Sequence, residues 1–167
     1  MSTRRKAREM ALCALYAHEM SKNSIDYIIN DLLTDEECGD IKEFCCELVK
    51  LTAQHTVEFD KMIKSKALNW DFDRIAIIDR IILRIAMCEF LYFRDIPPKV
   101  SMDEAIEIAK IYSTEKSGKF INGILDSVLS EWKKQKKISK SGRGLFNDST
   151  RKKNEPFKSS LSKNEMA

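Results

Sequence analysis

Residues 96–126 read IPPKVSMDEAIEIAKIYSTEKSGKFINGILD, and the architecture of the chain can be read outward from them. Pro97 and Pro98 cannot continue a helix from upstream. Ser101 and Glu104 stand at the S-x-x-E spacing of a capping box, which predicts a new helix from that point. Met102, Ala105, Ile106 and Ala109 follow at the spacing of one buried helical face. The link Ser113-Thr114-Glu115-Lys116 offers hydroxyl caps and an acidic first turn to a second helix. Ile121, Ile124, Leu125, Val128 and Trp132 form the core stripe of that helix. Phe120 falls about 100° from the stripe, on the side that carries Lys116. An aromatic ring beside lysines and off the core face asks for a task.

Upstream, residues 74–92 (RIAIIDRIILRIAMCEFLY) are apolar on most sides, as in a helix packed between others. Arg80 and Arg84 share one stripe, with Glu89 near the opposite side. These three either pair with neighbours at the core edge or serve binding. Residues 41–66 read as one long helix and 21–35 as a short one. The opening helix is divided lengthwise. Arg4, Arg5, Lys6 and Arg8 occupy its first turns, while residues 10–17 are almost wholly apolar. Arg5 and Tyr16 lie eleven residues apart, three turns, and so point to nearly one side. Such a strip is either a solvated basic end or a grip for RNA, with guanidinium groups on phosphates and a ring stacked on an unpaired base.

The totals bound the rest. A chain of 167 residues supports one domain, and five glycines, three prolines and no alternating β-branched runs favour an all-α fold. No apolar run approaches the roughly 18 residues of a membrane span and no signal-peptide pattern opens the chain, so a cytoplasmic protein away from membranes is expected. Cys13, Cys38, Cys45, Cys46 and Cys88 form no C-x-x-C pair, and His18 and His55 stand apart from them. Reduced cysteines, and no metal or cofactor, are expected. Residues 133–167 hold 11 Lys/Arg against 3 Asp/Glu, whereas the rest of the chain holds 18 against 23. A mildly acidic body with a basic tail suits a polyanionic partner. The expected division is a helical domain over 1–136 and a basic, disordered tail over 137–167. Gly118-Lys119 and Gly123 lack the preceding strand and the G-K-[ST] of a phosphate loop, and no nucleophile–base pairing is present, so an enzyme is not expected.

Three blocks in this order, residues 4–16, 69–90 and 96–126, resemble the bacterial NusB family of transcription antitermination factors. The last block is the most specific, with P-x-K-V, EAIE-x-AK and KF-x-NG-x-LD together. The resemblance covers about residues 3–132 and is weak over 21–66. It implies about seven helices in two packed three-helix groups. It also implies binding of boxA-type single-stranded RNA in rRNA leader transcripts, jointly with a small-subunit ribosomal protein acting as NusE, within an antiterminating RNA polymerase complex. Matched residue by residue, the family's RNA-binding positions fall on Arg4, Arg5, Lys6, Arg8, Tyr16, Lys119 and Phe120. Lys116, beside Phe120, joins them where the family commonly has an acidic residue. Glu89 matches the glutamate placed at or near the NusE contact, and Cys88 stands where the family often has tyrosine. Two alternatives stay open: a helical protein–protein adaptor with only non-specific electrostatic RNA affinity, and a homodimer that hides the RNA face.

Overall fold

The computed structural model describes residues 3–33 and 39–145. Among them are seven α-helices and no strand: α1 (Thr3–Ser21), α2 (Ile25–Leu32), α3 (Gly39–Gln54), α4 (Thr56–Lys66), α5 (Ile77–Tyr92), α6 (Pro98–Tyr112) and α7 (Glu115–Lys134). Helices α1–α3 pack on one another, as do α5–α7, and α4 lies against α5 and α7. Helix α5 belongs to both groups, since α1, α3, α4, α6 and α7 all touch it. Its all-round apolar sequence follows from that position: every residue from Ile81 to Phe90 is buried. Among the described residues no helix is long and apolar enough to cross a membrane.

The predicted stripes of α6 and α7 are largely in place. Met102, Ala105, Ala109, Ile121, Ile124, Leu125, Val128 and Trp132 are buried, whereas Ile106 is only half-buried, with Ile108 in the core instead. Thr114 caps α7 as expected, its hydroxyl accepting from the Ser117 amide at 3.1 Å.

The capping box expected at Ser101 and Glu104 does not form. Helix α6 starts three residues earlier, with Pro98 in its first turn and Pro97 as an N-cap without a side-chain bond. Proline suits that position, where its missing N–H is not needed and its fixed φ is already helical. Ser101 and Glu104 are thereby released for contacts with other helices. The long helix expected over 41–66 is likewise two, broken at His55 (φ −106°, ψ 16°). There the Thr56 hydroxyl donates back to the Thr52 carbonyl, a bond that bends helices, and the His55 ring stacks on Tyr92 with centroids 4.6 Å apart.

The segment 137–145, expected as the start of the tail, folds back over the end of α5. Lys140 Nζ donates to the Glu89 and Phe93 carbonyls at 2.9 and 2.8 Å, and the Ser141 amide donates to the Arg94 carbonyl at 3.0 Å. An ammonium group satisfying the last carbonyls of a helix is a favourable C-terminal cap. Gly144 is buried against Arg94, where any Cβ would run into the Arg94 carbonyl oxygen. The rest of the expected tail, and Cys38, lie outside the described residues. Cys45 and Cys88 are buried and Cys46 half-buried, but Cys13 is exposed.

Candidate nucleic-acid interface

The cations of α1 divide between surface and interior. Arg4 is exposed, paired with Asp95 at 2.9 Å and set over the Phe44 ring. Lys6 is exposed. Arg5 is half-buried and grips the Glu104 carboxylate with two bonds, Nε at 2.8 Å and Nη2 at 2.9 Å. That grip holds the Glu104 carboxyl below its ordinary value, with Arg8 adding a smaller attraction. Tyr16 is 41% exposed further along the same helix.

Arg8 and Glu89, expected on the RNA and partner faces, both lie in the interior of the structure. Arg8 turns inward and meets Glu89 with Nη2–Oε1 at 2.7 Å and Nε–Oε2 at 3.0 Å; both side chains are almost fully covered. The Ser101 hydroxyl donates to the same Glu89 carboxylate at 3.1 Å. A charge so far from water requires a close opposite charge and filled hydrogen bonds, and here three helices supply them. Arg84 is treated alike, bonded twice to Asp60 at 2.6 and 2.9 Å. Arg80 lies over the Phe72 ring. Neither Arg8 nor Glu89 is available to an outside molecule.

The aromatic side of the interface gathers around Phe120. This ring is half-buried, packed against the core beneath it. It meets Trp70 edge to face, with centroids 5.5 Å apart and planes at 64°. The pair lines a cavity of about 330 Å³, together with Arg74, Ile75, Ala76, Asp79, Ser113, Thr114, Lys116 and Ser117. Lys116 is exposed at its rim, and Lys119 is exposed one helical step away. Sequence reasoning passed over Trp70, Arg74 and Asp79. An N-W-D turn just before a strongly apolar helix was the available signal, because a tryptophan outside every helical stripe has no core to fill.

A second concavity, of about 270 Å³, lies on the α1 side and is lined by Lys6, Glu9, Met10, Cys13, Leu32, Leu33 and Tyr112. Tyr112 neighbours Ser113 and Thr114 of the first cavity, so the end of α6 stands between the α1 strip and the Trp70–Phe120 pair. Burial, with Glu9 nearby, raises the Tyr112 hydroxyl pKa. Rings at Tyr16, Tyr112 and Trp70 and cations at Lys6, Arg74, Lys116 and Lys119 are exposed, and Phe120 is half-buried. Among the described residues no three His, Cys, Asp or Glu side chains are grouped to hold a metal ion.

Comparison with known proteins agrees with the fold. The NusB family model matches residues 5–130. The chain is 45% identical over 145 residues to a transcription antitermination protein NusB of Chloroherpeton thalassium, covering 86% of this chain and 69% of the relative. It is 43% identical to the protein of the same name in Salinibacter ruber, covering 87% and 92%. The solved T. maritima NusB structure superposes with a TM-score of 0.72 at 36% identity, covering 77% of this chain and 91% of that one. A solved complex of antitermination factors NusB and NusE with double-stranded RNA shares the fold, with a TM-score of 0.70 at 24% identity over 78% of this chain and 98% of that one. The chain belongs to the NusB family.

Proposed function

We propose that this protein acts in transcription antitermination as a binding factor. It would hold boxA-type single-stranded RNA of rRNA leader transcripts on the surface that carries Trp70, Phe120, Lys116 and Lys119. A small-subunit ribosomal protein in the role of NusE would bind beside it, and the assembly would act with RNA polymerase in the cytoplasm. The observation that carries this reading is the aromatic pair of exposed Trp70 and half-buried Phe120, with Arg74 and Lys116 lining the same cavity, on a chain of this family. Rings stack on unpaired bases without needing a duplex, and lysines and arginines hold phosphates. The remaining expected RNA contacts, Arg4, Arg5, Lys6 and Tyr16, lie on α1, where Arg4 and Arg5 are already paired to acids. They therefore supply less cationic attraction than a count of arginines suggests. A modest RNA surface of this kind gains from a second protein that engages neighbouring nucleotides.

Titration of labelled boxA RNA and a scrambled control, each with and without NusE, tests the reading. Preference for boxA that grows when NusE is present supports it, with a log–log salt slope of about −0.7 per phosphate contact. Equal affinity for both RNAs in both conditions leaves the adaptor with electrostatic RNA affinity. Repeating the titration without residues 146–167 separates a tail contribution from that of the helical surface.

A further inference from the structure

The cavity lined by Trp70 and Phe120 also has polar lining that stacking alone does not use. Asp79 is the third residue of α5 and Ser117 the third of α7, so the first turns of two helices converge there. The Ser117 hydroxyl donates to Asp79 Oδ2 at 2.8 Å. A hydroxyl has one proton, so the Ser113 and Thr114 hydroxyls, 2.9 and 3.0 Å from Ser117 Oγ, must donate toward it in turn. The chain of hydroxyls holds the carboxylate through Oδ2, where the Ser117 proton goes, and gives none of its donors to Oδ1. Asp79 is only 6% exposed, and its buried Oδ1 has no hydrogen-bond partner among the described residues. A buried acceptor left unpaired is costly, and a donor brought by a ligand would remove that cost.

We propose that this cavity receives the base of one unpaired nucleotide, and that Asp79 Oδ1 reads an exocyclic amine on the base edge, N4 of cytosine or N6 of adenine. The inference rests on the RNA-binding reading of this surface and adds a choice of base to it. About 330 Å³ is near the lower end of the ordinary range for small-molecule pockets, suited to one base and not a stack of them. Trp70, 64% exposed, lines the same cavity and gives the base a ring to lie on. Arg74 and Lys116, also lining the cavity, are placed for the flanking phosphates. Uracil and hypoxanthine present a carbonyl where cytosine and adenine present the amine. That carbonyl would face a carboxylate oxygen with no proton between them.

The test is a scan of boxA-type RNA in which each cytosine becomes uracil and each adenine becomes hypoxanthine, one at a time. Binding is titrated with NusE present, on the wild type and on Asp79→Asn. The asparagine carbonyl can still accept from Ser117, while its amide nitrogen replaces Oδ1 and turns an acceptor into a donor. The expected result is one RNA position where the swap weakens wild-type binding by about tenfold or more. At that position Asp79→Asn reverses the order. A wild type indifferent to amine loss at every position overturns the proposal, as does an Asp79→Asn protein with the wild-type order throughout. If Asp79→Asn does not fold, the wild-type scan decides alone. Failure of the pocket with Phe120→Ala still weakening boxA binding leaves the RNA surface standing. Failure of boxA over scrambled RNA removes the surface and the pocket together.

Discussion

The indole of Trp70 and the phenyl ring of Phe120 meet edge to face at 5.5 Å, joining the turn before α5 to the start of α7. Phe120 also touches the core, so the pair is a surface element anchored from below. Phe120→Ala should weaken boxA binding by roughly 5- to 150-fold, the measured range of about 1–3 kcal/mol for removing one stacking ring. It should also lower the melting temperature by a few degrees, because its inner edge is packed. Trp70→Ala should weaken binding comparably with a smaller loss of stability. Fluorescence titration alongside thermal circular dichroism separates the two effects. Unfolding of Phe120→Ala would make the ring a core residue.

The Arg5–Glu104 pair sets a pH dependence whose sign is fixed. Hydrogen bonding to Arg5 lowers the folded Glu104 pKa below its ordinary value of 4.5. The pair's stabilisation is therefore complete above about pH 4.5 and fades as pH falls through the lowered folded value. Glu104→Gln should flatten this part of the stability curve, measured by urea unfolding between pH 3 and 7. At neutral pH the same change releases Arg5 and should raise RNA affinity a few-fold, whereas Arg5→Ala should lower it.

Glu89→Ala should destabilise the fold by up to about 3–5 kcal/mol, since it leaves Arg8 charged and buried with only the more distant Glu104 carboxylate, at 3.8 Å. The double variant Arg8→Met/Glu89→Leu should recover much of that loss, because an apolar pair needs no partner. Urea unfolding of the wild type and the two variants measures the loss and its recovery. If Glu89→Ala matched wild-type stability while losing NusE binding, the carboxylate would be a contact residue and not an internal joint.

Gly144→Ala should lift segment 137–145 from the end of α5, because the added methyl group collides with the Arg94 carbonyl. Overpacking of this kind costs about 1–3 kcal/mol locally. Hydrogen exchange should quicken at the Ser141 and Gly144 amides, both bonded in the folded segment, and stay slow within α5.

Helical periodicity was legible wherever one face alone is buried. Leu125, Val128 and Trp132 of α7 needed nothing but their spacing. It misplaced features decided by distant partners. Ser101 has the sequence of a cap, but Glu89 twelve residues earlier takes its hydroxyl. Arg8 has the sequence of a surface cation, but its counter-charge stands 81 positions away, beyond any local pattern. His55 divides a helix with neither proline nor glycine present, because threonine back-bonding and a ring on α5 act together there. Of the proposed RNA face, Phe120 and Lys116 could be picked out in the sequence, because their offset from the stripe is local geometry. Trp70 and Asp79 join them only through tertiary packing.

The buried joint of Arg8, Glu89 and Ser101 has a consequence for how such a sequence can vary over generations. Losing Arg8 alone strands Glu89, and losing Glu89 alone leaves Arg8 only the more distant Glu104, so the two positions drift most easily as a couple. A lineage that replaced both with apolar side chains would have no gradual road back, since each returning charge would arrive without its mate. The joint therefore behaves as an inherited unit, written 81 residues apart in the chain and read at a single point where α1, α5 and α6 meet.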